Sequence, residues 1–117
     1  MAIENAQLTT TQLDILIVPA GKSYAITTII VCNTNLSAST DSNFNLYIAK
    51  DADAIGPKNT IVRGLELPAG ETFTFDSEKI VLEEGDYVAF EAQPESGDPN
   101  LDSGETDLAA TISYLEV

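Results

Sequence analysis

Histidine and tryptophan are missing from this chain, cysteine occurs once (Cys32), and only five of its 117 residues are basic. Each shortage excludes something. Without histidine there is no Ser-His-Asp triad, no Cys-His dyad and no histidine-bound zinc. A single cysteine allows no internal disulfide and fits a chain made in a reducing cytosol. Nineteen acids against the five bases leave a net charge of -14. Nucleic-acid binding needs Lys and Arg to replace the counterions on phosphate, so none is expected. The same charge argues against docking on an anionic membrane leaflet. No apolar run approaches the roughly 20 residues that span a bilayer. Met1-Ala2-Ile3-Glu4 has no basic n-region, so no secretion signal is expected.

What is present suits an ordinary globular domain. Apolar residues make up 44% of the chain and charged residues 21%, near the averages for folded proteins. A chain of this size buries roughly two-thirds of its unfolded surface, so one core without staples is feasible. Residues 1–117 are read as a single domain. The charge is uneven: residues 1–63 hold five acids and four bases, while residues 64–117 hold fourteen acids and one base, Lys79. A solvated acidic face that aids solubility accounts for this; a cation site or a surface for a basic partner is the sharper alternative.

The apolar pattern has period two. Phe44, Leu46 and Ile48 share a face, as do Phe73 with Phe75, Val88 with Phe90 and Ala92, and Leu108 with Ala110, Ile112 and Tyr114. Valine, isoleucine, threonine and aromatics fill these runs, as strands prefer. Turn signals separate them. Pro19-Ala20-Gly21-Lys22 and Pro68-Ala69-Gly70-Glu71 read as tight reversals, as do Glu83-Glu84-Gly85-Asp86 and Ile55-Gly56-Pro57-Lys58-Asn59. The spacing predicts seven or eight strands, near 6–9, 13–18, 22–33, 43–50, 59–67, 71–76, 80–82 with 86–93, and 107–116. The expected fold is therefore all-β, a single-domain β-sandwich of jelly-roll or immunoglobulin type.

Two strands look apolar on both faces. Along 24–32, strict alternation sets Tyr24, Ile26, Ile30 and Cys32 against Ala25, Ile29 and Val31. At the C-terminus Leu115 and Val117 stand opposite Ile112 and Tyr114. A central strand of the sandwich explains the first case; a second buried face formed by self-association explains both. Tyr24, Ile26, Ile112, Tyr114, Leu115 and Val117 are accordingly the candidate oligomer or partner interface. A homo-oligomer is expected, a trimer in preference.

Other constellations carry less. Asp98, Asn100 and Asp102 alternate as in a calcium loop, because hard cations need several oxygens around one point. Gly104 falls at the seventh position rather than the sixth, and Ala109 stands where a bidentate Glu is required, so an exposed loop is the competing reading. Asp51 and Asp53 suit a cation or a capped turn. Glu83, Glu84 and Asp86 lie in a turn, not across the cleft that glycoside hydrolysis needs. Cys32 has no base to activate it and reads as an inert thiol. Asn35-Leu36-Ser37 is formally a glycosylation sequon, without a secretion signal to give it meaning. With no tryptophan, only Tyr24, Tyr47, Tyr87 and Tyr114 could act as sugar platforms. No catalytic or cofactor-binding residue emerges, and no enzyme activity or cofactor is expected.

Several stretches together resemble a group of small virion structural proteins of tailed bacteriophages, especially from aquatic hosts. They are Ile17-Val18-Pro19-Ala20-Gly21-Lys22-Ser23-Tyr24-Ala25-Ile26, Ile29-Ile30-Val31-Cys32-Asn33-Thr34, Asn45-Leu46-Tyr47-Ile48, Leu67-Pro68-Ala69-Gly70-Glu71-Thr72-Phe73, Leu82-Glu83-Glu84-Gly85-Asp86 and Ala110-Thr111-Ile112-Ser113-Tyr114-Leu115-Glu116-Val117. The resemblance implies a small β-sandwich built into the particle: a capsid decoration (cement) protein, or a head-fibre module. Its partners would be the major capsid protein or other virion proteins. Its location would be the outer capsid surface, after synthesis in the host cytoplasm. A tail-fibre or baseplate accessory module that adheres to host surfaces or glycans is the alternative. The near-neutral first half is expected to face the shell and the acidic second half the solvent. The acidic loop at 94–107 departs from the family's compact pattern.

Overall fold

The computed structural model describes residues 2–34, 41–76, 80–94 and 105–117. Among these the chain forms nine strands: β1 (Ala2–Thr9), β2 (Leu13–Ile17), β3 (Tyr24–Asn33), β4 (Asp41–Ala49), β5 (Thr60–Pro68), β6 (Thr72–Phe75), β7 (Ile80–Leu82), β8 (Tyr87–Pro94) and β9 (Glu105–Glu116). A single 3-10 turn, Pro57–Asn59, precedes β5. All pairings are antiparallel. Sheet A has the order β1-β9-β3-β6, with β7 also paired to β3; sheet B has the order β2-β8-β4-β5. Of these paired neighbours, only β4 and β5 follow one another in the chain. Every other connection except β6 to β7 changes sheets. This crossing order is that of a jelly roll, the first of the two sandwich types expected.

Turn chemistry explains the crossings. The two Pro-Ala-Gly segments form the same type II reversal, with the Lys22 N–H donated to the Pro19 carbonyl at 3.2 Å and the Glu71 N–H to the Pro68 carbonyl at 3.1 Å. Gly21 and Gly70 both take φ 78°, which this turn demands of its third residue. The turns lie at opposite ends of β3: the first leads into Tyr24, whereas Gly70 donates to the Asn33 carbonyl at 3.0 Å. Buried Asn33 locks the second by donating its Nδ2 to the Leu67 carbonyl at 2.9 Å.

Glu83–Asp86 forms the expected turn, with the Asp86 N–H donated to the Glu83 carbonyl at 2.9 Å. It splits the expected 80–82 with 86–93 strand into β7 in sheet A and β8 in sheet B. Gly85 sits at φ 84°, and a Cβ there would run into the Asp51 side chain. The first strand also starts earlier than expected, at Ala2, because β9 extends far enough to pair Ala2 with Tyr114.

The core lies between the sheets. Phe44, Leu46, Val88 and Phe90 on sheet B meet Leu8, Ile29, Val31, Leu108 and Ile112 on sheet A, all fully buried. The Phe44 ring packs edge-on against Phe73 across the layers at 5.5 Å and lies beside Phe90 at 6.3 Å. The period-two faces of β4, β6, β8 and β9 are oriented as the sequence indicates.

Strand β3 is the exception. Ile26 pairs with Tyr114 and Thr28 with Ser113, so Thr27 and Thr28 together oppose one residue of β9. This bulge flips the alternation. Tyr24 and Ile26 therefore share the inner face with Ile29 and Val31, while Ile30 and Cys32 turn outward. The Thr27 hydroxyl holds the bulge by bonding the Ser113 carbonyl at 3.0 Å and the Ser113 hydroxyl at 2.8 Å.

Phe44→Ala is expected to destabilise the protein by about 3–5 kcal/mol, because it opens a cavity between two rings. Ile61→Ala on β5, where the side chain is 43% exposed, is expected to cost less than about 0.5 kcal/mol. Urea unfolding of the two variants measures both.

Candidate functional site

The jelly roll gives each sheet one outer face, and the two faces differ in chemistry. On sheet B the outer face is polar. Asn45 donates to the Tyr47 hydroxyl at 3.0 Å and lies 3.5 Å from Glu91, while the Tyr47 hydroxyl lies 3.3 Å from the same carboxylate. The Asn45 carbonyl oxygen accepts the Gly64 N–H at 2.6 Å, which ties β5 over this network. Residues 50–59 pack against the same side, where the Tyr87 hydroxyl donates to the Asp53 carbonyl.

The outer face of sheet A carries no such network. β9 presents Ala109, Thr111, Ser113 and Leu115, which pair in register with Gln7, Asn5 and Ile3 of β1 and with Cys32, Ile30, Thr28 and Ala25 of β3. β6 adds Thr72 and Thr74, and β7 adds Val81. None of these side chains is charged. Among the described residues the acids beside this face are Asp107, buried at one end of β9, and Asp76, which accepts from the Thr28 hydroxyl at 3.2 Å. Most of the side chains are small, and Val81 and Leu115 flank the buried Ala25 in an apolar row. Six large hydrophobic side chains are exposed among the described residues, and four of them (Ile3, Ile30, Val81 and Val117) belong to this face or its edge.

The expected interface residues divide accordingly. Tyr24, Ile26, Ile112 and Tyr114 point between the sheets and are buried, Ile112 completely. Tyr24 and Tyr114 stack on one another with ring centres 4.6 Å apart. These four are core residues in the folded chain, and a partner cannot reach them. Leu115 and Val117 do lie on the outer side, and Val117 is 68% exposed. Sequence reasoning missed Ile3, Ile30 and Val81. The bulge hid Ile30, and isolated isoleucine and valine positions carry no signal until pairing aligns them. The two halves of the chain also form no separate sides, since sheet A interleaves β1 and β3 with β6, β7 and β9.

The remaining candidates have structural partners or fall elsewhere. Asp98, Asn100 and Asp102 lie outside the described residues. Asp86 clamps two turns, accepting the Asp51 N–H at 3.1 Å and the Glu83 N–H at 2.9 Å. Glu84 accepts the Gly21 N–H at 2.6 Å. Among the described residues no group of three or more acids or thiols is gathered as a metal site would require. Of the four tyrosines three are buried and Tyr87 is half-buried, so none offers an open ring for a sugar. A cleft of about 380 Å³ lies beside Ile48, Ala49, Lys50 and Asn59. Lys58 and Asp53, which form a 3.3 Å ion pair, also line it.

No protein-family model, curated protein or solved structure matches this chain.

Three proton equilibria bear on stability. Burial raises the Tyr47 and Tyr114 hydroxyls above their ordinary value of 10.0, with nearby Glu91 and Glu4 acting in the same direction. The hydrogen bond to Glu116, with its charge at 3.1 Å, raises the exposed Lys22 ammonium above 10.5. A raised folded-state value means that the folded protein holds the proton more tightly than the unfolded chain. That stabilisation is fully present below the ordinary value and is lost as pH climbs through the raised one. The urea midpoint is therefore expected to fall above pH 10.0, and Tyr47→Phe with Tyr114→Phe is expected to reduce the fall. A double variant with an unchanged alkaline slope would show that these hydroxyls do not contribute.

Proposed function

We propose that this chain is a non-enzymatic structural protein of a tailed-phage particle, a capsid decoration protein that attaches to the outer head surface through the outer face of sheet A. The observation that carries this reading is that four of the six large apolar side chains exposed among the described residues lie on or beside one sheet face whose described side chains are uncharged, in a chain with net charge -14. A protein surface without charge can be covered without desolvating an ion, which is the main cost of burying polar surface at an interface. The acids elsewhere keep the protein soluble and away from packaged DNA, which favours a position outside the shell.

The mechanism is mechanical. A small rigid sandwich laid across neighbouring capsomers adds contact area that must be broken before the shell opens. Binding to the closed shell alone stabilises that state by mass action. The tail-fibre alternative would need an exposed aromatic or cation site, and no tyrosine among the described residues is exposed.

A reconstruction of purified particles tests the reading. Many copies over the head, with sheet A toward a neighbouring subunit, are expected. A few copies confined to the tail would overturn it. Heads stripped of the protein are expected to release DNA at a lower temperature. Adding back the wild-type protein is expected to restore the temperature, and adding back Thr111→Glu is not.

A further inference from the structure

We infer that the outer face of sheet A pairs with the same face of a second copy, giving a two-fold dimer in which two sheets stack back to back. The inference builds on the docking face proposed above and names its first occupant. Three observations lead to it.

The first is charge. Each copy carries -14, so two copies repel wherever their acids approach. The outer face of sheet A is the broad surface on which they can meet without bringing acids together. A basic partner would be recognised by acids on the docking face, and among the described residues the acids beside this face are Asp76 and Asp107. A second copy brings an equally uncharged surface.

The second is size. Four strand rows at a spacing of about 4.8 Å, and the part of β9 from Ala109 to Leu115 at about 3.4 Å per residue, make a patch of about 19 Å by about 24 Å. Two such patches cover about 900 Å² in flat projection and more once side-chain relief is counted. That lies just below the about 1,000–1,200 Å² at the lower end of specific interfaces, in the range of weak, transient pairs. A reversible, concentration-dependent dimer is the expected consequence.

The third is symmetry. A three-fold ring joins two different patches head to tail, whereas one patch that meets itself closes a two-fold pair. The four exposed apolar side chains on or beside this face belong to one patch. The other two, Ile17 and Ile61, lie on β2 and β5, the opposite edge strands of sheet B, and do not form a second. The geometry therefore points to a dimer in place of the trimer that the sequence reading preferred. Sheets stacked in this way lie about 10 Å apart, which small side chains such as Ala109, Ser113 and Thr111 allow.

Sedimentation equilibrium of the purified full chain over a wide concentration range, with circular dichroism to confirm folding, tests the inference. A monomer–dimer equilibrium is expected. It should tighten as salt rises, because salt screens the repulsion between the acidic bodies. Ile30→Glu and Ser113→Glu are each expected to weaken the dimer by about tenfold or more, since each buries an unpaired charge. Ile61→Glu is expected to change it by less than about twofold. Alkylation of Cys32, the sole cysteine and a member of this face, should slow as concentration rises. If Ile30→Glu fails to fold, Ser113→Glu and the Cys32 protection still decide the matter.

A protein that stays monomeric at every concentration, forms a trimer, or dimerises unaffected by either charged variant overturns the inference. The two readings fail separately. Wild-type monomers that bind particles, while Thr111→Glu does not, would leave the decoration role standing without the dimer. A charged variant that loses dimerisation yet restores stripped heads fully would leave the dimer standing and remove the docking role from this face.

Discussion

The pairing of β3 with β9 is the constraint on which the rest of this structure depends. Tyr24 lies opposite Glu116 and Asn33 opposite Leu108, so residues far apart in the chain form the centre of sheet A. β1 attaches only to β9, and β6 and β7 only to β3. Without this central pair neither the inner face that completes the core nor the outer face of sheet A would exist. Closing so long a stretch of chain costs conformational entropy before any side chain is buried. The repayment comes through Ile29, Val31, Leu108, Ala110 and Ile112, which the pairing aligns on one side and buries together.

One irregularity inside that pairing sets the chemistry of the surface. The bulge at Thr27 and Thr28 brings Tyr24 and Ile26 into phase with Ile29 and Val31, and turns Ile30 and Cys32 out beside Thr111 and Ala109. The Thr27 hydroxyl, bonded to Ser113, fixes the change of phase. The bulge thus sets which of two apolar stripes lies in the core and which faces outward.

The acids are distributed in a way that follows from the same architecture. At the end of the sandwich where the β2–β3 and β7–β8 turns meet, Glu84 and Asp86 accept backbone N–H groups that would otherwise lack partners. On sheet B Glu91 completes a network with Asn45 and Tyr47. Carboxylates at turns and on a polar face satisfy donors and repel other copies, and the uncharged face of sheet A stands apart from both.

Most of the strands were legible in the amino-acid sequence, because alternation along β4, β6, β8 and β9 is local and the Pro-Ala-Gly turns announce themselves through residues with restricted or permissive φ. The double apolar character of 24–32 was legible too, but its assignment was not. Tyr24, Ile26, Ile112 and Tyr114 read as interface, whereas Ile3 and Val81 read as nothing in particular. Composition and spacing determined that this is an acidic β-sandwich without histidine chemistry. Only the tertiary structure decided which apolar stripe is hidden, because facing in or out is a property of register between distant strands, and a single bulged residue reverses it.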